Sequence, residues 1–345
     1  MAEMAKRSLL EELDQAVTGI LVHPDAPLPA DARLAPLVRI AAQLASLPRP
    51  EFRARLKSDL ERKTPMTTLR EAIIPEESKK PAVNPIPKGY RTVTPYIVAQ
   101  DADGLIEFLK NTFGAEEKFR AVGGAGGRHA ELRIEDSALM VGGGAAGLSW
   151  KGDSIPSAFH IYVRDCDAVY RRALQHGATS IHEPVDQPYG ERSASVKDAA
   201  GNHWYIATYN GPNYKWEGAP TLQPYMHPLR AEPVMAFLKR AFGAQELGRH
   251  ASPDGVIHHL MLKIGDSFME MGEAQGPYQP MPAMYYLYVS DCDAVYERAI
   301  EAGATSISAP ADQPYGDRNA GVKDAFGNQW YIATHVKDVA PSQNG

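Results

Sequence analysis

The chain contains two copies of one unit, and that constrains its fold more than any other feature. Residues 186–208 read DQPYGERSASVKDAAGNHWYIAT, and residues 312–334 read DQPYGDRNAGVKDAFGNQWYIAT. The offset is 126, and 18 of these 23 positions are identical. The same offset pairs Asp165-Cys166-Asp167-Ala168-Val169-Tyr170 with Asp291-Cys292-Asp293-Ala294-Val295-Tyr296. Nearer the N-terminus, TPYIV and FLKNTFGAEE (within 94–117) match QPYMH and FLKRAFGAQE (within 223–246) at an offset of 129. So small a drift needs only short loop indels. Residues 90–210 and 219–336 are therefore two copies of a domain-sized unit, far longer than a solenoid repeat.

Each copy is itself halved. In copy 1, Thr92–Ala99 is rich in β-branched and aromatic residues and reads as a strand. Leu105, Phe108, Leu109 and Phe113 then recur at helical spacing, and Gly114 stops the helix. Short strands are expected at 115–121, 128–134 and 137–141. The pattern restarts with a strand over Ala158–Val163, a helix capped by Asp165 or Asp167 and ended by Gly177, and strands near 179–182, 193–198 and 203–209. Each half is βαβββ, and the expected class is α+β.

Two βαβββ modules per copy, with TPYIV, FLKxxFGA, HAELRIEDSALM, YGDR and KDxxGNxWYIATH, resemble the vicinal oxygen chelate superfamily. That superfamily includes glyoxalase I, bleomycin-resistance proteins and extradiol dioxygenases, and the motifs look like its PhnB-like branch. The resemblance covers about 245 of the 345 residues. It implies domains over 90–213 and 218–338, with curved mixed sheets that carry helices on one face and enclose a cleft with the other. It also allows clefts to be built across the two copies.

Alternation along each strand then sorts the side chains. Trp204 and Ile206, like Trp330 and Ile332, belong to the core. His203 and Tyr205 in copy 1, and Gln329, Tyr331 and His335 in copy 2, belong to the cleft. Third strands offer His129, Glu131 and Arg133, then His259, Met261 and Lys263. First strands offer Thr94 and Tyr96, then Gln223, Tyr225 and His227. Fifth strands offer Ala158, His160 and Tyr162, then Met284, Tyr286 and Tyr288. Four phenols, Tyr225, Tyr286, Tyr288 and Tyr331, suit stacking on a flat ligand.

Metal-dependent members of the resembled superfamily draw one His/Gln or Glu ligand from each of the first, fourth, fifth and eighth strands. Those positions hold Thr94, Met140, Ala158 and Tyr205 in copy 1, and Gln223, Glu270, Met284 and Tyr331 in copy 2. No mixture of halves yields more than two usable ligands. The expectation is a binder of a small aromatic or anionic molecule, with no cofactor and no assigned catalytic residue. The alternative is a lyase, isomerase or dioxygenase holding Ni, Zn, Fe or Mn through Gln223 and Glu270. A nonstandard site from His129, Glu131, His160 and His203 is a further option, and a scaffold role is the third reading. His258-His259 is no chelate, because strand neighbours face opposite ways.

Other features take blander readings. Arg192 and Arg318, in the DQPYG turns, either bind a ligand at a cleft mouth with Tyr189 and Tyr315 or pair with a nearby Asp. Cys166 and Cys292 read as small buried side chains. Gly123–Gly127 reads as a hairpin loop, since no Lys-Ser/Thr follows. Residues 1–65 form a helical segment, with apolar spacing at Leu9, Leu13, Val17, Leu34 and Leu37, and 66–89 form a Pro-rich linker. Those helices are expected to pack on the β units or join two copies as a homodimer. The net charge of −6 and a pI near 6.0 argue against a general nucleic-acid binder. The N-terminus has no apolar stretch of a signal peptide, no run reaches membrane-spanning length, and there are only two cysteines. A cytoplasmic protein is expected.

Overall fold

The computed structural model describes residues 83–210 and 217–339. The expected N-terminal helices and residues 66–82 of the linker lie outside the described residues, as does any dimer through them. Copy 1 contains β1 (Val93–Ala99), α1 (Ala102–Phe113), β2 (Glu116–Val122), β3 (Arg128–Ile134) and β4 (Ser137–Gly143), then β5 (Ala158–Tyr162), α2 (Cys166–Gln175), β6 (Thr179–Asp186), β7 (Glu191–Lys197) and β8 (His203–Tyr209). Copy 2 repeats this with β9 (Leu222–Met226), α3 (Ala231–Phe242), β10 (Gln245–Ala251), β11 (Ile257–Ile264) and β12 (Ser267–Met271), then β13 (Met284–Tyr288), α4 (Cys292–Glu301), β14 (Thr305–Asp312), β15 (Asp317–Lys323) and β16 (Gln329–His335). The βαβββ pattern occurs four times. No helix among the described residues is long and apolar enough to cross a membrane.

The strands form two eight-stranded mixed sheets, and each draws on both copies. Sheet A runs β14-β15-β16-β13-β1-β4-β3-β2, and sheet B runs β10-β11-β12-β9-β5-β8-β7-β6. Their centres are the antiparallel pairs β1/β13, with Thr94 opposite Tyr286, and β5/β9, with His160 opposite Gln223. The hydrophobic cores divide differently. One core joins α1 and α2 to copy 1 strands from both sheets, through Ile97, Leu109, Leu132, Phe159, Trp204 and Ile206. The other does the same for copy 2, through Leu238, Leu262, Tyr285, Trp330 and Ile332. A core thus belongs almost wholly to one copy, whereas the opposite, helix-free face of each sheet is a cleft built from both.

Local chemistry explains the elements. Asp101, Asp165 and Asp291 cap α1, α2 and α4 through their carboxylates, satisfying a first-turn N–H. Arg230 lacks such an acceptor at the start of α3, and Glu273 supplies one to Ala231 N–H at 2.9 Å. The KDxxGNxW motif is a structural knot. Asp198 accepts from Ala200 N–H, from the Asn202 main chain and side chain, and from Trp204 Nε1 at 2.8 Å. Asp324 repeats these bonds to Phe326, Asn328 and Trp330. Trp204 stacks on Phe159 and Trp330 on Tyr285, at 4.7 and 4.6 Å. The seam between copies is also doubled: Asp266 and Ser267 accept from Thr92 and Val93 N–H, and Asp136 and Ser137 from Thr221 and Leu222 N–H.

Candidate functional site

Sheet B presents a cleft (cleft B) of buried polar groups. Glu270 on β12 is fully enclosed and receives His160 Nδ1, from β5, at 2.9 and 3.0 Å. His259 Nε2, from β11, reaches the same carboxylate at 3.0 Å. Burial opposes the Glu270 charge, but the two imidazoles outweigh it and hold the carboxyl down at about 2. Burial likewise opposes protonation of His160, and Glu270 overcomes it, so the His160 pKa is raised. Beyond His160, Glu191 on β7 lies with an oxygen 3.8 Å from Nε2 and accepts from Tyr162 Oη at 2.9 Å. Burial raises its pKa.

Beside this carboxylate–imidazole row stands a wall of rings. Tyr205 and Tyr225 lie 4.9 Å apart, Tyr225 and His227 4.8 Å, and Tyr278 stacks on His227 at 5.5 Å and 11°. Tyr205 Oη and His227 Nε2 share a hydrogen bond of 2.7 Å. Burial, with His203 nearby, depresses His227 to about 4, and burial also lowers His203. Both rings are therefore neutral near pH 7. Four buried atoms of this cleft have no hydrogen-bond partner among the described residues: His160 Nε2, Gln223 Oε1, His203 Nδ1 and His227 Nδ1. Buried polar atoms are seldom left so.

Cleft A, on sheet A, is phenolic. Tyr286 and Tyr288 pack with Met140 and Ala333 at its floor, against Tyr90, Tyr96, Tyr331 and Ile86. Asp317 accepts from Tyr286 Oη at 3.0 Å and pairs with His335 Nδ1 at 2.8 Å. Glu131 accepts from Tyr90 Oη and lies 3.6 Å from His129 Nε2. Tyr96 Oη bonds His129 Nδ1 at 2.9 Å.

The sequence-assigned cleft residues divide evenly. Tyr96, His129, Glu131, Tyr286, Tyr288 and Tyr331 face cleft A, and His160, His203, Tyr205, Tyr225, His259 and Glu270 face cleft B. Two expected groupings therefore fail. His129 and Glu131 lie on a different sheet from His160 and His203, so these four do not form one site. Tyr225 is likewise separated from Tyr286, Tyr288 and Tyr331. The reason is the crossed pairing, which puts the two halves of a copy in different sheets. His258 is exposed while His259 points inward. Arg192 pairs with Asp167 and Asp186, and Arg318 with Asp293 and Asp312, so the Asp reading of these turns holds. Cys166 and Cys292 are buried, and burial lifts their thiols to about 11 and 12. Sequence reasoning missed Glu191, Asp317, Tyr278 and Tyr90. Glu191 and Asp317 were legible in principle, since each shares a strand face with the residue two positions on.

A superfamily metal can be tested against each donor set. Thr94, Met140, Met284 and Tyr331 of cleft A offer no usual ligand. In cleft B, Gln223 Oε1 and the Glu270 carboxylate are suitable donor types; His160, two residues beyond the expected Ala158, meets Glu270 through Nδ1 and turns Nε2 toward Glu191, so Nε2 does not join that carboxylate on one ion. Among the described residues no three His, Cys, Asp or Glu side chains converge as a metal-holding group.

The family model for the glyoxalase/bleomycin resistance protein/dioxygenase superfamily matches residues 91–206 and 230–332. An uncharacterised protein of Mycobacterium bovis is 36% identical over 131 residues, spanning 35% of this chain and 86% of that protein. One from Mycobacterium tuberculosis is also 36% identical over 131 residues, with 77% of that protein covered. Glyoxalase I from Zea mays superposes with a TM-score of 0.55 at 17% identity, over 70% of this chain and 92% of that one. That likeness concerns the fold.

Proposed function

The chain belongs to the glyoxalase/bleomycin resistance protein/dioxygenase superfamily, and from that premise we propose that it binds a small, flat organic molecule in cleft B. The observation carrying this reading is the set of four partnerless buried atoms facing that cleft. An unmade bond of this kind costs about 1–3 kcal/mol per group, and a ligand with matching donors and acceptors recovers it. The ligand body stacks on Tyr205, Tyr225, His227 and Tyr278. Its polar edge meets Gln223 Oε1, which needs a donor, and His160 Nε2.

A thermal-shift screen of the full-length chain against aromatic metabolites and antibiotics tests this. A ligand at about 100 times its Kd adds roughly 2.7 kcal/mol to the stability of the native state. The shift should vanish in Gln223→Leu and persist in Tyr331→Leu. The opposite pattern would move the site to cleft A and defeat the proposal.

A second reading rests on the donor pair Gln223 and Glu270. A divalent ion bound there would polarise two oxygens of a substrate. Metal analysis of protein purified without chelators decides between them. Near-stoichiometric Ni, Zn, Fe or Mn, abolished by Glu270→Gln, would replace the metal-free reading.

A further inference from the structure

Cleft A is crossed by the chain's own segment Pro85–Tyr90. At one side, the Pro85 carbonyl accepts from His335 N–H on β16 at 3.1 Å. At the other, Arg133 on β3 donates to the Gly89 carbonyl, and Tyr90 Oη donates to Glu131 on the same strand. Strands β13, β1 and β4 lie between those anchors. A tight turn, Tyr90 N–H to Pro87 O at 3.0 Å, sets the second end. Its Gly89 has a φ of +92°, and an added Cβ would lie 2.5 Å from the Arg133 guanidinium. Ile86 and Tyr90 rest on the phenolic floor, with the Tyr90 ring 5.5 Å from that of Tyr288. The residues of copy 2 that match Tyr90 and Glu131 are Ala219 and Met261, which pack together, so this phenol–carboxylate pair is not repeated at those positions.

The surface beneath this strap suits a particular guest. Phenol faces attract cations, and Tyr96, Tyr286, Tyr288 and Tyr331 supply them. Two carboxylates, the part-buried Glu131 and the buried Asp317, have only phenol hydroxyls and the imidazoles of His129 and His335 as side-chain partners among the described residues; Arg133 is engaged with main-chain oxygens. Thr94 Oγ1, on the same face of β1, is buried with no hydrogen-bond partner among the described residues. The Tyr90 ring and hydroxyl stand over Tyr288 and Glu131, where such a guest would sit.

We propose that cleft A binds flat organic cations in competition with the chain's own segment Pro85–Tyr90. This goes beyond the cleft B reading and does not rest on it. The test uses the full-length chain and thioflavin T, a flat cationic dye that brightens when held rigid. In the Ile86→Gly/Tyr90→Ala double variant, removal of the competitor should tighten dye binding about tenfold. In that background Asp317→Asn should weaken it again by about tenfold.

Hydrogen exchange on the wild-type chain provides a check that needs no variant. The His335 amide should exchange on the order of 100-fold slower than an open amide, and saturating dye should erase that protection. An unprotected His335 amide, or dye affinity equal in wild type and double variant, overturns the proposal. So does dye binding indifferent to Asp317→Asn. Protection that disappears on dilution would place the segment of a second copy in the groove and overturn the intramolecular version.

Discussion

The two clefts share one scaffold and differ at the positions that matter chemically. Where cleft B has Glu270, His160, Gln223, His227 and His203, the matching positions of cleft A hold Met140, Tyr286, Thr94, Val98 and Gln329. Most of what shapes the backbone is duplicated: the Asp198 and Asp324 knots, the Trp cores, the Asp caps of α2 and α4, and the seam clamps. A sheet tolerates this because facing residues alternate, so one face can be rewritten while the other keeps its packing. The result is one cleft with a carboxylate–imidazole row across its central strands and one with phenols and Met140 in those places.

The largest effect should come from giving cleft B the residue of cleft A. Glu270→Met leaves His160 and His259 without their carboxylate, and denaturant unfolding should show a loss of about 3 kcal/mol. A loss below about 1 kcal/mol would mean that the buried pair contributes little.

The pH profile is a second test, because cleft B holds buried imidazoles and carboxylates with shifted pKa values. His227 is depressed to about 4, so the unfolded chain takes up its proton first as pH falls below about 6.5. That alone removes up to about 3 kcal/mol by pH 4. Glu270, held at about 2, withdraws its own contribution below roughly pH 4.5. His160 has the opposite sign: its raised pKa stabilises in acid, and the contribution is lost as pH rises above about 6.5. Glu191, also raised, weakens the fold as it ionises. Stability should therefore peak near pH 6, with His227→Phe flattening the acid side and His160→Gln the alkaline side. Unchanged limbs in these variants would show that other groups set the profile.

The smallest effect should be the most symmetric. Arg192→Ala and Arg318→Ala each remove a solvent-screened ion pair, so each should move the denaturation midpoint only slightly. The two losses should agree, because the turns are structural. A selective loss of ligand binding in one of them would turn that DQPYG loop back into a cleft mouth.

Much of this was legible in the sequence. Trp204 and Ile206 sorted their strand into core and cleft faces, and Gly114 and Asp165 marked helix ends. What alternation along one strand does not reveal is the neighbour across the sheet. His160 and Glu270 are 110 residues apart and meet only because β5 pairs with β9. Likewise Tyr90, just before a strand, carries no pattern signalling that its hydroxyl latches onto Glu131. Faces follow from local periodicity, whereas partners follow from topology.

The crossed arrangement has a consequence for any shortened form. A fragment ending near residue 210 would retain its own oily interior, since that interior is almost entirely copy 1. It would, however, bare the inner edges of β1 and β5, whose mates are β13 and β9. Such a half-molecule is prone to seek a twin, and the duplicated chain has in effect tied two such twins into one polypeptide.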